Sequence, residues 1–144
     1  KYILDRILSV GEDIVIAADA LWQQRDPNPK SRTRDLISCS KIFSSGYLDD
    51  DTATLVEIGP DLKLEKIMGE WIGLARFHGD GFIALKQTIE EFRSNKMLDQ
   101  ASMIDILNAL LKSGKKIHVV YTTGHWLDVD NPEDLAHAQS FVKS

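Results

Sequence analysis

Asp13-Ile14-Val15-Ile16-Ala17-Ala18-Asp19 is short, rich in β-branched residues and almost unbroken in its apolarity. Such a run reads as a strand buried on both faces, and sheets built from strands of that kind are covered by helices. Upstream, Tyr2 to Leu8 follows helical spacing with Ile3, Leu4, Ile7 and Leu8 on one side, and Gly11 ends the element. Downstream, Gln23 to Arg34 is polar and contains Pro27 and Pro29, which predicts a loop, and Leu36 to Ser40 predicts a short strand.

The same reading continues to the end of the chain. Ala53 to Ile58 predicts a strand, Gly59-Pro60-Asp61 a turn, and the alternation of Leu62, Leu64 and Ile67 a returning hairpin arm. Trp71 to Phe77 is a further apolar strand. Phe82, Leu85, Ile89 and Phe92 keep helical spacing, as do Met103, Leu107, Leu110 and Leu111 in a second helix with Gly114 at its C′ position. Ile117 to Tyr121 is the last strand. It leads into a closing helix whose start is marked by Asn131 as N-cap, Pro132 at N1, and Glu133 with Asp134 in the first turn. Strands interleaved with helices define an α/β class with a mixed β-sheet flanked by helices. Residues 1–144 show no repeat and no linker.

Bulk composition bounds the function. With 43% hydrophobic and 27% charged residues the chain is an ordinary globular sequence. A net charge of −5 opposes a broad nucleic-acid-binding surface but leaves room for one nucleotide, which needs only local positive charge. No apolar run approaches the ~20 residues of a membrane span. The single Cys39 offers no disulfide framework, and with no secretory signal the expectation is a reducing cytoplasm. The chain opens Lys1-Tyr2-Ile3-Leu4, already inside a helical pattern, and reads as a piece of something longer.

Chemistry concentrates in three places. Asp128 and Asp130 leave the last strand two residues apart, so on extended chain they point to the same side. Acids emerging together from a buried strand are costly unless a cation or hydrogen-bond donors need them, and Mg²⁺ is the natural hard partner. Helix capping by Asp130 with Asn131, beside a solvated Asp128, explains the spacing equally well. Asp19 ends a buried strand, where ligands gather in α/β sheets, although an acid opening a surface loop accounts for its position more simply. Glu70-Trp71-Ile72-Gly73 offers a hydrogen-bond acceptor, a stacking indole and a strand glycine of the sort that marks close approach. The bland alternative makes Trp71 core and Glu70 exposed.

His125 adjoins the acidic motif, whereas His78, His118 and His137 are scattered and none pairs with Cys39 at zinc-site spacing. His118 reads as structural. His78-Gly79-Asp80-Gly81 fits no nucleotide fingerprint and reads as a turn before a helix, and Asp49-Asp50-Asp51 reads as a solvated loop tip. No nucleophilic triad is present in the pattern.

Several segments in order carry a resemblance: Tyr2-Ile3-Leu4, Ile14 to Trp22, Arg34-Asp35-Leu36-Ile37, Gly69-Glu70-Trp71-Ile72-Gly73-Leu74 and Gly124-His125-Trp126-Leu127-Asp128-Val129-Asp130. Over nearly its whole length the chain resembles the C-terminal part of a nucleotidyltransferase domain of the sugar-phosphate type. The version fused to phosphoenolpyruvate phosphomutase in phosphonate biosynthesis looks nearest. The resemblance implies a Rossmann-like fold and transfer of a nucleotidyl group, cytidylyl from CTP by the nearest likeness, to a phosphonate or phosphate acceptor with release of pyrophosphate. It implies Mg²⁺ as Lewis acid and template. It makes Asp128 a metal ligand and Asp130 a second acid, and it turns Glu70 and Asp19 towards the acceptor, with Trp71 and His125 nearby.

The resemblance also has gaps. The family's glycine-rich nucleotide loop with its arginine and lysine is absent, and so is a first metal aspartate expected shortly before Lys1. The expected partners are therefore an NTP, a small acceptor, the missing N-terminal part of the domain and a fused mutase domain. Nucleic acid and membrane are not among them. Two other readings remain: a non-catalytic interaction or regulatory domain retaining the half-fold, and a phosphohydrolase sharing the acidic motif, which would need a nucleophile the sequence does not display.

Overall fold

A computed structural model describes residues 2–25, 34–43, 52–124, 126, 132 and 135. Four helices and five strands are labelled in chain order: α1 (Tyr2–Ser9), β1 (Ile14–Asp19), α2 (Trp22–Arg25), β2 (Leu36–Cys39), β3 (Ala53–Gly59), β4 (Gly69–Phe77), α3 (Gly79–Ser94), α4 (Met103–Lys112) and β5 (His118–Thr122). Two short 3₁₀ turns lie at Leu64–Lys66 and Leu98–Gln100. The chain is α/β with one mixed sheet, as the interleaved pattern predicts.

The sheet closes on itself in the order β1–β4–β2–β3–β5, a closure that local sequence does not signal. Only β1 and β5 run parallel; the other four pairings are antiparallel. Closure rests on a short seam in which Ala53 pairs with Val119 and Thr54 with His118, extended by Leu55 N–H donating to Ile117 O at 2.8 Å. All six residues of β1 are buried, as its apolar run demands. Ile14, Ile16 and Ala18 face a large cluster with Ile37, Val119, Ile106, Leu107 and Leu110, which α3 and α4 cover. Val15 and Ala17 face the other way and pack with Val120 and Ile7 under α1.

Four expectations need correction. The returning hairpin arm over Leu62, Leu64 and Ile67 is a 3₁₀ turn, because β3 takes β2 and β5 as partners and leaves that segment no edge to pair with. In α1 only Ile7 is buried, with Ile3 half-buried, while Leu4 and Leu8 are exposed: an eight-residue helix lies on the sheet along a narrow stripe. Phe82 is exposed on α3, whose closest contact runs through the small residues Gly81, Ala84 and Thr88. In β4, Gly73 marks a bulge, with no atom within 4 Å of where a Cβ would stand. Ile16 pairs with Ala75 but Ala18 with Trp71, so extra residues loop out of β4, and Gly73 takes φ +78° to allow it.

Other readings hold. His78 is the N-cap residue of α3, so the His78–Gly81 segment is the expected turn into a helix. Gly114 follows the α4 C-cap with φ +83°. His118 ties loops together, its Nδ1 2.9 Å from Thr52 Oγ1 and its Nε2 3.4 Å from Glu12. The closing helix is described only at Pro132 and Leu135, both helical. The Asp49–Asp51 loop lies outside the described residues. No described helix is long and apolar enough to cross a membrane.

Gly81 sets how closely α3 seats on the sheet. A Cβ there would stand 2.6 Å from both the Asp13 carbonyl oxygen and Ile14 Cγ1, and the carbonyl is backbone that cannot rotate aside. Gly81→Ala is therefore expected to destabilise the chain by about 3 kcal/mol, an overpacking cost near the upper end of its usual range. Thermal unfolding should register this as a drop on the order of 10 °C; an unchanged midpoint would refute the close seating.

Burial also makes the fold sensitive to alkali. It pushes the Cys39 thiol up to about 11, against a small opposing contribution from its hydrogen bond with Tyr121. The Tyr121 hydroxyl is raised as well, first by burial and then by Cys39. Both groups are held protonated in the fold, so the folded chain binds more protons than the unfolded one once pH exceeds the free thiol value. Stability is then full below about pH 9 and falls as pH rises towards 11, by about 3 kcal/mol for the thiol alone. Urea unfolding against pH should show the decline, and Cys39→Ala should remove the thiol's share. A flat profile from pH 8 to 10.5 would contradict it.

Candidate functional site

Asp19 is the last residue of β1, and the register sets Glu70 of β4 on one side of it and Thr122 of β5 on the other. Residues directly opposite on paired strands point to the same face, so the two carboxylates share the α1 side of the sheet. Both are buried: Asp19 is 0% exposed and Glu70 4%. An acid opening a surface loop is thus excluded for Asp19, as is an exposed Glu70.

Their partners explain how the acids tolerate burial. Asp19 Oδ1 accepts a hydrogen bond from the Leu21 backbone N–H at 3.0 Å, a turn of the type short acidic side chains form two residues on. Asp19 Oδ2 accepts from Trp126 Nε1–H at 3.3 Å. Arg34 Nη1 donates to Glu70 Oε2 at 2.8 Å with both side chains almost fully enclosed. The guanidinium also lies 5.7 Å from the ring centre of Trp22, within cation–π range. Gly69 permits the close fit of β4 against β1, since a Cβ there would come within 3.0 Å of the Asp19 carbonyl oxygen.

Because β1 and β5 are parallel, their carboxyl ends coincide at this point. Thr122 Oγ1 donates to the Gly124 carbonyl at 3.0 Å, guiding the chain out of β5 past Asp19. Trp71 alternates to the opposite side from Glu70, into the large core, where its Nε1 donates to the Leu74 carbonyl across the bulge. The structure thus brings Asp19 and Glu70 together and turns Trp71 away. His125, Asp128 and Asp130 lie outside the described residues. Among the described residues, no group of three or more His, Cys, Asp or Glu side chains could hold a metal ion.

Sequence reasoning did not single out Arg34, Trp22 or Trp126 as site residues. Arg34 reads as loop by composition, and its ion pair joins residues 36 positions apart. An arginine adjoining an apolar β-strand is the one local hint that a buried acid waits for it.

No known protein family matches the sequence, and no curated protein matches it significantly.

Proposed function

We propose that this chain is the C-terminal part of a Mg²⁺-dependent nucleotidyltransferase, moving a nucleotidyl group, cytidylyl in the nearest resemblance, from an NTP to a phosphonate or phosphate acceptor with release of pyrophosphate. The observation that carries the reading is the hydrogen bond from Trp126 to Asp19. It ties the segment that bears Asp128 and Asp130 to a buried acid at the carboxyl end of a parallel strand, where α/β enzymes gather their ligands. Two residues of chain span at most about 7 Å, so Asp128 is tethered close to Trp126. By the resemblance Asp19, like Glu70, would face the acceptor. The closed order and the four antiparallel pairings depart from the open, mostly parallel Rossmann-like sheet that the resemblance implies; only the β1–β5 pair is of that kind.

The described residues alone do not make a metal site, so the Mg²⁺ requirement rests on Asp128 and Asp130. When bound there, the ion would supply charge neutralisation at the transferring phosphoryl group. This chain's own residues orient. Arg34 holds Glu70 beside Asp19, and the indole of Trp126 fixes one oxygen of Asp19. By the resemblance Glu70 would face the acceptor, and here its carboxylate is held by Arg34. In-line attack by an acceptor oxygen on the α-phosphorus depends on such positioning more than on covalent catalysis.

The second reading, a non-catalytic binding module, draws on the Arg34–Glu70 pair, since a carboxylate bonded to a guanidinium is also a plain structural fastener. Pyrophosphate release distinguishes the two. A protein joining this chain to the rest of its domain should release pyrophosphate from an NTP when given Mg²⁺ and a phosphonate or phosphate acceptor. No release across the four common NTPs and a panel of such acceptors would overturn the transferase reading. The chain alone, titrated calorimetrically with CTP and Mg²⁺, should bind more weakly than the micromolar range, because the glycine-rich nucleotide loop is not in it. Micromolar binding would show that the nucleotide site is complete without that loop.

A further inference from the structure

On the face of the sheet that carries Asp19, α1 packs over Val15, Ala17 and Val120 and contributes Ile7 in full and Ile3 in part. That is a thin attachment, and Leu4 and Leu8 add nothing to it because they are exposed. An eight-residue helix is also shorter than the roughly 12–15 residues at which an isolated helix begins to hold in water. Its helical shape therefore depends on staying docked.

The polar attachment comes from far along the chain. Arg76 of β4 stands opposite Val15 and so points to the same face. Its Nη1 donates to the Leu8 carbonyl at 3.2 Å, and its Nη2 donates to the Val10 carbonyl at 2.6 Å and to the Glu12 carbonyl. These acceptors lie at the C-terminal end of α1 and along its connection to β1, where carbonyls lack helical partners and the helix dipole favours a cation. Arg76 Nε, enclosed as well, has no partner among the described residues, so the hydrogen bonds of this guanidinium there all go to one connection. The other end of α1 has no polar tie of this kind among the described residues, and Tyr2, Ile3 and Arg6 border a hollow with Thr122 and Thr123 at the end of β5.

We infer that α1 is a latched flap: it opens as a unit with its connection to β1, Arg76 is the latch, and opening uncovers the face that carries Asp19. Asp19 follows Val15 and Ala17 at alternate positions of β1, and Thr122, its partner on β5, borders the hollow beside α1. Removing the latch shifts the opening of the flap and leaves the β1–β5 ladder and the core under α4 intact. An arginine that only supported the fold would weaken all of these together. The flap does not depend on the transferase reading.

Native-state amide exchange of the chain, followed by NMR, is the test. In the parent, the amides of Arg6 to Ser9 should exchange at least about a hundredfold faster than those of β1 and α4, as local opening requires. Arg76→Gln should accelerate them by roughly a further tenfold or more, the worth of one hydrogen bond to a charged group, and leave β1 and α4 within about twofold. Carbodiimide amidation of Asp19, read by mass spectrometry, should rise in the variant in step with exchange in α1. A single exchange rate for α1 and β1 in the parent would overturn the flap. Equal acceleration of β1 and α1 by Arg76→Gln, or acceleration of neither, would overturn the latch. Asp19 labelling indifferent to the variant would overturn the uncovering of that face.

Discussion

Asp128→Asn, made in a protein that completes the proposed nucleotidyltransferase domain, is expected under that proposal to lower pyrophosphate release by about 10²–10³-fold or more with the fold intact. The substitution keeps size and polarity and removes one negative charge, so a capping or solvated acid would hardly register it. An acid that offsets the charge of a transferring phosphoryl group would lose most of its effect. The linkage between Trp126 and Asp19 adds a second arm. Asp19→Asn replaces an acceptor pair with one oxygen and one NH₂ group, while the Leu21 N–H and Trp126 Nε1–H both need acceptors. One of the two bonds must be lost, so this variant should combine impaired turnover with altered Trp fluorescence. Turnover within twofold of the parent in the Asp128 variant would leave helix capping as the better account of the motif.

Glu70→Ala is expected to destabilise the chain by about 3–5 kcal/mol, because it strips the buried Arg34 guanidinium of the carboxylate 2.8 Å away. Typical domains hold about 5–15 kcal/mol in total, so one such loss brings a chain of this size close to unfolding. The pair itself contributes much less than that, since both ions gave up hydration on burial. The double variant Arg34→Met, Glu70→Leu should therefore recover most of the stability of the single one. That recovery separates two roles for Glu70. In a protein completed as the transferase proposal requires, a refolded double variant that remains inactive supports an acceptor-facing carboxylate, and one that turns over normally makes Glu70 a fastener only. Denaturant unfolding of the three variants gives the stability half of the comparison, and a single variant as stable as the parent would contradict the burial of the pair.

What could be read along the chain followed from local rules. The β-branched run before Asp19 formed β1, the spacing of Met103, Leu107 and Leu110 formed α4, and Gly114 ended it where a left-handed residue was needed. Local rules failed where packing alone decides. Leu4, Leu8 and Phe82 fit their helices' apolar spacing yet lie exposed, because the faces that dock are those of Ile7 and of Gly81, Ala84 and Thr88. The candidate site shows the same limit more sharply. Asp19 and Glu70 are both visible as acids beside apolar strands, but nothing near either residue says that they sit opposite each other or that both are enclosed.

Sequence by itself determined the α/β class, the main strands and helices, and the types of residue available for chemistry. It did so because propensity, periodicity and capping act over a few residues. Only the tertiary structure decided that the sheet closes, that β4 bulges at Gly73, and that Asp19, Glu70, Arg34 and Trp126 meet at one end of it. Those outcomes join residues up to 107 positions apart. The register between such distant segments is set by which arrangement buries the most apolar surface with every buried charge partnered, a property of the whole chain that no short stretch contains.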